Sequence, residues 1–507
     1  MDAVGSLLDG FRVALLPLNL GLAFGGVVVG TVVGMLPGIG PINAIAVLIP
    51  ITFAVRMSPE SALILLAGIY YGSQYGNSIS TILLNVPGTA SSVPTAFDGY
   101  AMTRAGRASV ALATAAIASF VGGTLSIFGL ILLAPLLARW AIRFGPAEYF
   151  ALMVFAFAAL SGLAGKAPRK AAVSTGLGLL LGTVGLDPFS SVARYTFGQI
   201  KLLDGMDFVV VTIGLFAVSE VFHMLESASA GPPVTGVGRV MHSVRETVVA
   251  RWSMIRGSAI GFLIGVLPGA GGTIASFLAY TSEQRLVDRQ GRFGKGDIRG
   301  VAAPEAANNA AATGAMIPLL TLGIPGSGTT AVLLGALLGL NVKPGPLLMD
   351  RNPEVFWGLA ASMYIGNLLL LILNLPLVGV FAAILRLPRW SLFPGVAALS
   401  FVAVYAVNSS VLDLILMTGF GLLGYAMRKL GIPLAPLILG LVLGPLAETN
   451  LRRSLALSGG DWGVLFSSPV AIALWILAAG SAILPAVLGW SGRRVVAGDG
   501  EGQGLTS

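Results

Sequence analysis

Gly30-Thr-Val-Val-Gly-Met-Leu-Pro-Gly-Ile-Gly40 recurs 231 positions later as Gly261-Phe-Leu-Ile-Gly-Val-Leu-Pro-Gly-Ala-Gly271, with six of eleven positions identical, including all of Leu-Pro-Gly. Both copies interrupt long uncharged apolar stretches. Paired Gly/Pro-broken apolar segments at matching places in two halves of a membrane protein point to the substrate site of a transporter. Working outward, Val13–Val55, Ser61–Phe97, Ala108–Ala138 and Ala306–Val342 carry no Asp, Glu, Lys or Arg. Each exceeds the roughly 20 residues that cross a bilayer, so several are long enough for two segments.

Composition sets the class. Of 507 residues, 55% are hydrophobic and only 10% charged, and the mean hydropathy is +0.88. Too few charges are present to cover a water-soluble surface, where about 25% is usual. The runs are too long and too uniformly apolar for barrel strands, which alternate in polarity over about 10 residues. The expected fold is an all-α polytopic membrane protein with two pseudo-symmetric repeats and Gly/Pro-broken helices or helical hairpins. The net charge of +8 does not signal nucleic-acid binding, because Lys166, Arg169, Lys170 and the run Arg285, Arg289, Arg292, Lys295, Arg299 sit between apolar spans, as the positive-inside bias requires. With no cysteine, disulfides and thiolate metal sites are excluded. The N-terminus lacks the pattern of a cleaved signal peptide, so the first span is expected to be retained.

The polar stretch around Gly231-Pro-Pro-Val-Thr-Gly-Val-Gly divides the chain almost evenly. Residues 1–225 are read as a first transmembrane repeat, 226–256 as a polar linker, 257–490 as a second repeat and 491–507 as a disordered, cytoplasmic tail. The halves share further features. Tyr71-Gly-Ser-Gln-Tyr-Gly-Asn-Ser78 and Asn85-Val-Pro-Gly-Thr-Ala-Ser-Ser92 pair with Pro304-Glu-Ala-Ala-Asn-Asn309 and Gly323-Ile-Pro-Gly-Ser-Gly-Thr-Thr330. Asn77 lies 10 residues before Pro87, whereas Asn308 lies 17 before Pro325. The extra seven are about two helical turns, read here as a longer helix with an unrotated face. Gly182 to Gly185 with Arg194 similarly resembles Gly440 to Gly444 with Arg452. Basic flanks around Gly257–Ser282, against the sparse Arg12 and Arg56 around the first copy, favour inverted repeats. The basic pairs near Lys170 and Arg428 speak for parallel ones.

A Leu-Pro-Gly-x-Gly break costs backbone entropy and hydrogen bonds. Inside hydrocarbon it persists only where protein or a cavity satisfies the freed groups. It supplies free N–H groups for an anion and free carbonyls for a cation such as Na+. The expected substrate or ion site therefore comprises Pro37, Gly38, Gly40, Asn43, Asn77, Ser78, Pro87, Gly88, Thr89 and Ser91 from the first half. From the second half it takes Pro268, Gly269, Gly271, Thr273, Asn308, Asn309, Pro325, Gly326, Ser327 and Thr329. Na+ is expected at Gly38, Asn43, Gly269 and Thr273. The competing structural reading is close helix packing at the glycines, interhelical bonds from the asparagines and capping by the hydroxyls. Glu305, following Pro304, reads most simply as a residue of a first helical turn, with a coupling role as the alternative. Asp187, Asp413, Glu220 and His223 read as interfacial. No metalloprotease, paired-aspartate or nucleotide-binding motif is present, so no catalytic residue and no cofactor are expected.

At these residues the chain resembles the large membrane subunit of tripartite tricarboxylate transporters, the TctA family. Gly34-Met-Leu-Pro-Gly-Ile-Gly-Pro, Tyr71-Gly-Ser-Gln-Tyr-Gly-Asn-Ser, Pro304-Glu-Ala-Ala-Asn-Asn-Ala and Leu322-Gly-Ile-Pro-Gly-Ser-Gly-Thr-Thr carry the resemblance over roughly residues 15 to 490. It implies a multi-pass secondary transporter of the bacterial inner membrane, importing a tricarboxylate-like substrate with Na+. It also implies two partners, a periplasmic substrate-binding protein and a small membrane subunit of about four helices, and an elevator-like motion of a hairpin-containing core. The alternatives are an H+-coupled carboxylate carrier, a membrane enzyme acting on a lipid or acyl substrate, and a non-transporting membrane scaffold.

Overall fold

In a computed structural model the chain is described over residues 3–36, 40–162, 168–226, 248–269, 271–384 and 392–496. It is all-α, apart from a two-residue antiparallel bridge between Gly185–Leu186 and Ala193–Arg194. The first half contains α1 (Ala3–Ala14), α2 (Pro17–Met35), α3 (Pro41–Ala54), α4 (Pro59–Leu84), α5 (Val93–Arg104), α6 (Ala108–Ala141), α7 (Pro146–Gly162) and α8 (Pro168–Gly182). Then come α9 (Phe208–Thr212), a π-turn (Ile213–Val218) and α10 (Ser219–Glu226). The second half contains α11 (Arg251–Val266), α12 (Gly271–Val287), α13 (Ile298–Gly314), α14 (Met316–Leu322), α15 (Gly328–Gly339) and α16 (Leu348–Arg351). It ends with α17 (Pro353–Ile384), α18 (Leu392–Asn408), α19 (Val411–Lys429), α20 (Ala435–Leu457) and α21 (Pro469–Val496). Helix α21 thus runs past residue 491, and the rest of the expected tail lies outside the described residues, as does most of the expected linker.

Proline opens α2, α3, α4, α7, α8, α17 and α21, the position where its missing N–H costs nothing. Among the described residues four helices are long and apolar enough to cross a membrane: Pro17–Met35, Ala108–Ala141, Pro353–Leu377 and Val411–Lys429. Two helices central to the site are of another kind. Nearly every residue of α4 from Ser61 onward is buried, and so is every residue of α13 from Gly300 to Gly314. Both are rich in Gly, Ala, Ser, Thr and Asn, which suits helices that face protein rather than lipid.

Glycine stripes set the closest packing. Cβ atoms built on Gly26, Gly30 and Gly34 of α2 would lie 2.5, 2.3 and 2.3 Å from the carbonyl oxygens of Leu65, Ile69 and Ser73 in α4. Gly257, Gly261 and Gly265 of α11 meet the carbonyls of Ala303, Ala307 and Ala311 in α13 at 2.4, 2.2 and 2.5 Å in the same way. Only glycine allows backbones to approach this closely, so contact dispersion replaces the hydrophobic effect that lipid does not supply. The second glycines lie 231 residues after the first, and the second carbonyls 238 after theirs. The offset of 238 persists along α4: Gly76 and Gly314 both abut the partner helix, and the left-handed helix caps are Asn85 and Gly323. Pro87-Gly88 and Pro325-Gly326 follow at the same offset.

This register corrects one sequence expectation. Counted from the glycines and caps, Asn77 corresponds to Ala315, and Asn308 to Tyr70. The two asparagine clusters do not occupy matching positions, and no lengthened helix is needed to explain the seven-residue discrepancy.

The chain forms two compact units. One contains residues 1–143 and 206–427, the other residues 144–205 and 428–507. Each draws on both sequence halves. In the second unit, α8 packs on α20 where Gly178 meets the Leu437 carbonyl. Arg194 and Arg452 both pair there with Asp187 and Glu448. Backbone N–H groups of Phe189 and Ser190, then the two arginines, hold the Asp187 carboxyl down to about 2.

Candidate functional site

All the described residues of the expected site fall in the first unit. Helix ends flank both Leu-Pro-Gly segments. Helix α2 stops at Met35 and α3 starts at Pro41, while α11 stops at Val266 and α12 starts at Gly271. Pro37 and Gly38 lie outside the described residues. Gly269 and Gly271 take φ of 84° and 59°, the left-handed region that a side chain disfavours.

Each break touches the x-Pro-Gly turn of its own half. A Cβ on Gly40 would meet the Thr89 methyl at 3.3 Å, and one on Gly88 would meet the Gly34 carbonyl oxygen at 2.9 Å. In the second half, Gly269 N–H donates to the Gly326 carbonyl at 3.0 Å, and Gly326 abuts Ala315 and the Gly265 carbonyl. Pro268, Pro325 and Gly326 are buried. The two junctions are linked through α4 and α13. Asn308 Nδ2 donates to Gln74 Oε1 at 3.1 Å, and the Tyr71 hydroxyl lies 2.7 Å from Thr313 Oγ1. Asn308 Oδ1 is the atom nearest a Cβ built on Gly272 in the first turn of α12, with Ser91 beyond it. The Tyr70 hydroxyl faces Gln74, Ser327 and Thr329.

Three amide oxygens in this region are buried without a hydrogen-bond partner: Asn77 Oδ1, Asn308 Oδ1 and Asn309 Oδ1. An unsatisfied buried polar group costs about 1–3 kcal/mol, so each calls for an explanation such as a ligand. Their amide nitrogens are occupied: Asn77 Nδ2 donates to Thr89 Oγ1, and Asn309 Nδ2 to the Glu305 carbonyl at 3.2 Å. Ser327 and Thr330 form a capping box at the start of α15, so Ser327 takes the capping role rather than offering an uncommitted hydroxyl.

The structure does not gather every expected residue. Asn43, in the first turn of α3, donates from Nδ2 to Glu220 Oε2 at 3.4 Å. Glu220 follows the π-turn and is 4% exposed, so its side chain faces protein. Asp413 and Asp187 are also buried, whereas His223 is exposed. Thr273 is half-buried in the first turn of α12. Of the four expected Na+ ligands, Gly38 lies outside the described residues, and Asn43 is engaged with Glu220.

Glu305 is another correction. Asp297 caps α13, with its carboxylate accepting from Arg299 N, so Glu305 lies in the third turn and not the first. It is fully buried and accepts from Ser78 Oγ at 2.5 Å, Thr95 Oγ1 at 2.6 Å and Ser119 Oγ at 3.3 Å. A void of about 10 Å³, the size of one water, is lined by Tyr75, Ser78, Ser119 and Asn374 among others. Sequence reading passed over Gln74, Thr95 and Ser119. Gln74 lay inside a quoted motif and Thr95 lies four residues past Ser91, but Ser119 is a lone hydroxyl in an apolar run and carries no local signal.

Comparison with known proteins agrees with the architecture. The profile of the tripartite tricarboxylate transporter TctA family matches residues 20–439. The chain is 46% identical over 477 residues, 94% of each protein, to an uncharacterised 52.8 kDa protein in the TAR-I ttuC' 3' region of Agrobacterium vitis. It is 46% identical over 214 residues to an uncharacterised protein in the TAR-II ttuC' 3' region of the same organism, 42% of this chain and 88% of that one. No solved structure matches. The match covers both broken-helix junctions and both asparagine clusters, and it makes the chain a multi-pass transporter subunit rather than an enzyme, one that works with other membrane and periplasmic partners: the protein belongs to the tripartite tricarboxylate transporter TctA family.

Proposed function

We propose that this subunit imports a carboxylate across the bacterial inner membrane in symport with Na+. It would receive its substrate from a periplasmic binding protein and work beside a small helical subunit. The observation that carries this reading is the pair of buried, unpartnered oxygens, Asn77 Oδ1 and Asn308 Oδ1, each beside a glycine at a helix break. Neutral oxygens of this kind replace the hydration shell of a monovalent cation, as unwound helices do in other transporters. The N-termini of α3 and α12, which start at the two breaks, offer N–H groups and a favourable dipole to a carboxylate. Glu305 supports a second reading, H+ coupling, because an ionisable group buried in a membrane protein is a functional candidate by default and its contacts here are hydroxyls alone.

The test is uptake of labelled carboxylate by the complete transporter in proteoliposomes, at fixed membrane potential. An inward Na+ gradient at equal pH should drive accumulation. Accumulation driven by a pH gradient and indifferent to Na+ would replace the first reading with the second.

A further inference from the structure

We infer that Asn77 is a ligand of the coupling cation, at a site the second half lacks. The inference rests on the Na+ reading and names the residue through which it works. The argument is a comparison within the chain. Gly88 lies against Gly34 O and residue 77, and Gly326 lies against Gly265 O and residue 315. These pairs are related by the same offsets, 231 and 238, that relate the glycine stripes and the helix caps. At the second junction residue 315 is alanine, fully buried, and a methyl group fills the place. Packing therefore demands no more than a methyl at this position, yet the first junction carries an asparagine.

That asparagine is bought at a cost in hydrogen bonding. Asn77 is 0% exposed and its Oδ1 has no partner. Asn77 also diverts its neighbour. Ser327 caps α15 through Thr330, whereas the corresponding Thr89 makes no side-chain cap and instead accepts from Asn77 Nδ2. Two structural economies available at the second junction are thus given up at the first.

The oxygens point to the ligand. Asn77 Oδ1 and the Gly34 carbonyl oxygen are the two oxygens nearest Gly88 on the side where a Cβ would project. Gly34 belongs to the last turn of α2, whose carbonyls have no partner within their own helix. An amide oxygen and a backbone carbonyl, both neutral, suit Na+. A divalent ion would call for carboxylates.

The experiment compares the native chain with Asn77→Ala, the residue that position 315 already carries. In the complete transporter, at saturating carboxylate, Asn77→Ala should raise the half-saturating Na+ concentration about ten- to hundred-fold, the effect of losing one ligand to a charged group. Uptake at very high Na+ should recover. In the purified subunit, the rise in melting temperature caused by NaCl relative to choline chloride should disappear. Na+-driven uptake with an unchanged half-saturation would overturn the ligand assignment and leave Na+ coupling standing. Uptake indifferent to Na+, with Na+ still stabilising the native chain and not the variant, would keep the site and overturn the coupling. An Asn77→Ala chain that fails to fold would overturn the premise that a methyl suffices.

Discussion

At the scale of single residues, the polar groups of this chain divide into those with a packing task and those without one. Asp98 is fully buried but complete, accepting from Tyr280 and from the backbone N–H groups of Gly294, Gly296 and Asp297. It ties α5 to the loop before α13. Glu305 is held by hydroxyls alone, so its two substitutions should behave differently. Glu305→Gln keeps an acceptor for one of Ser78 and Thr95 and offers an amide N–H to the other hydroxyl, and under Na+ coupling it should leave Na+-driven uptake within a few-fold of native. Glu305→Ala strands three buried hydroxyls, each costing about 1–3 kcal/mol if unsatisfied, and should melt well below the glutamine variant. Thermal unfolding of both in detergent, beside Na+-driven uptake, checks the pair; loss of accumulation in Glu305→Gln with native stability would favour H+ coupling. The asparagines were legible as polar clusters in uncharged runs. Glu305 was misplaced because Pro304 imitates a helix start, whereas the actual start is set by Asp297 seven residues earlier.

At the scale of helices, the two breaks could be read from Leu-Pro-Gly, but the register between the halves could not be read from the asparagines. Residue identity paired Asn77 with Asn308; backbone approach pairs Asn77 with Ala315, because glycine spacing is bound to carbonyl positions and polar clusters are not. The stripe makes a direct prediction. Gly30→Ala places a Cβ 2.3 Å from the Ile69 carbonyl and must force α2 away from α4, costing about 1–3 kcal/mol or more. Gly25→Ala, on the same helix, has nothing within 4 Å and should be neutral or stabilising by up to about 1 kcal/mol. Equal melting temperatures for the two would remove the stripe from the packing argument. In the second unit, Asp187 gives a pH test. Its carboxyl is depressed from the usual 3.8 to about 2, so its contribution is present above the ordinary carboxylate range and lost as pH falls towards about 2. Native chain and Asp187→Asn should therefore differ in stability at neutral pH and converge between pH 4 and about 2, as followed by thermal unfolding.

For the whole molecule, sequence suggested two halves joined by a linker, and contact divides the chain differently. Residues 1–143 with 206–427 form one unit, and residues 144–205 with 428–507 the other. A linear reading registers where apolar runs fall along the chain. It does not register that α8, from the first half, packs on α20 from the second. The consequence for function is that the described residues at both broken-helix junctions, the unpartnered amide oxygens and Glu305 belong to one unit, while the Asp187–Arg194–Glu448–Arg452 network belongs to the other. Binding energy acts first on the groups that make the contacts, and backbone opening is suppressed where a ligand joins segments that otherwise open separately. Na+ and carboxylate together should slow amide hydrogen exchange at residues 34–36, 40–43, 85–92, 265–269, 271–274 and 323–330, which are the helix ends and turns around the junctions. Exchange at residues 183–205 and 458–468, the loops of the second unit, should change little. Exchange measured by mass spectrometry on the purified transporter, with choline chloride as the reference, reads both sets at once. Protection confined to the second set would move the binding site out of the unit that holds the broken helices.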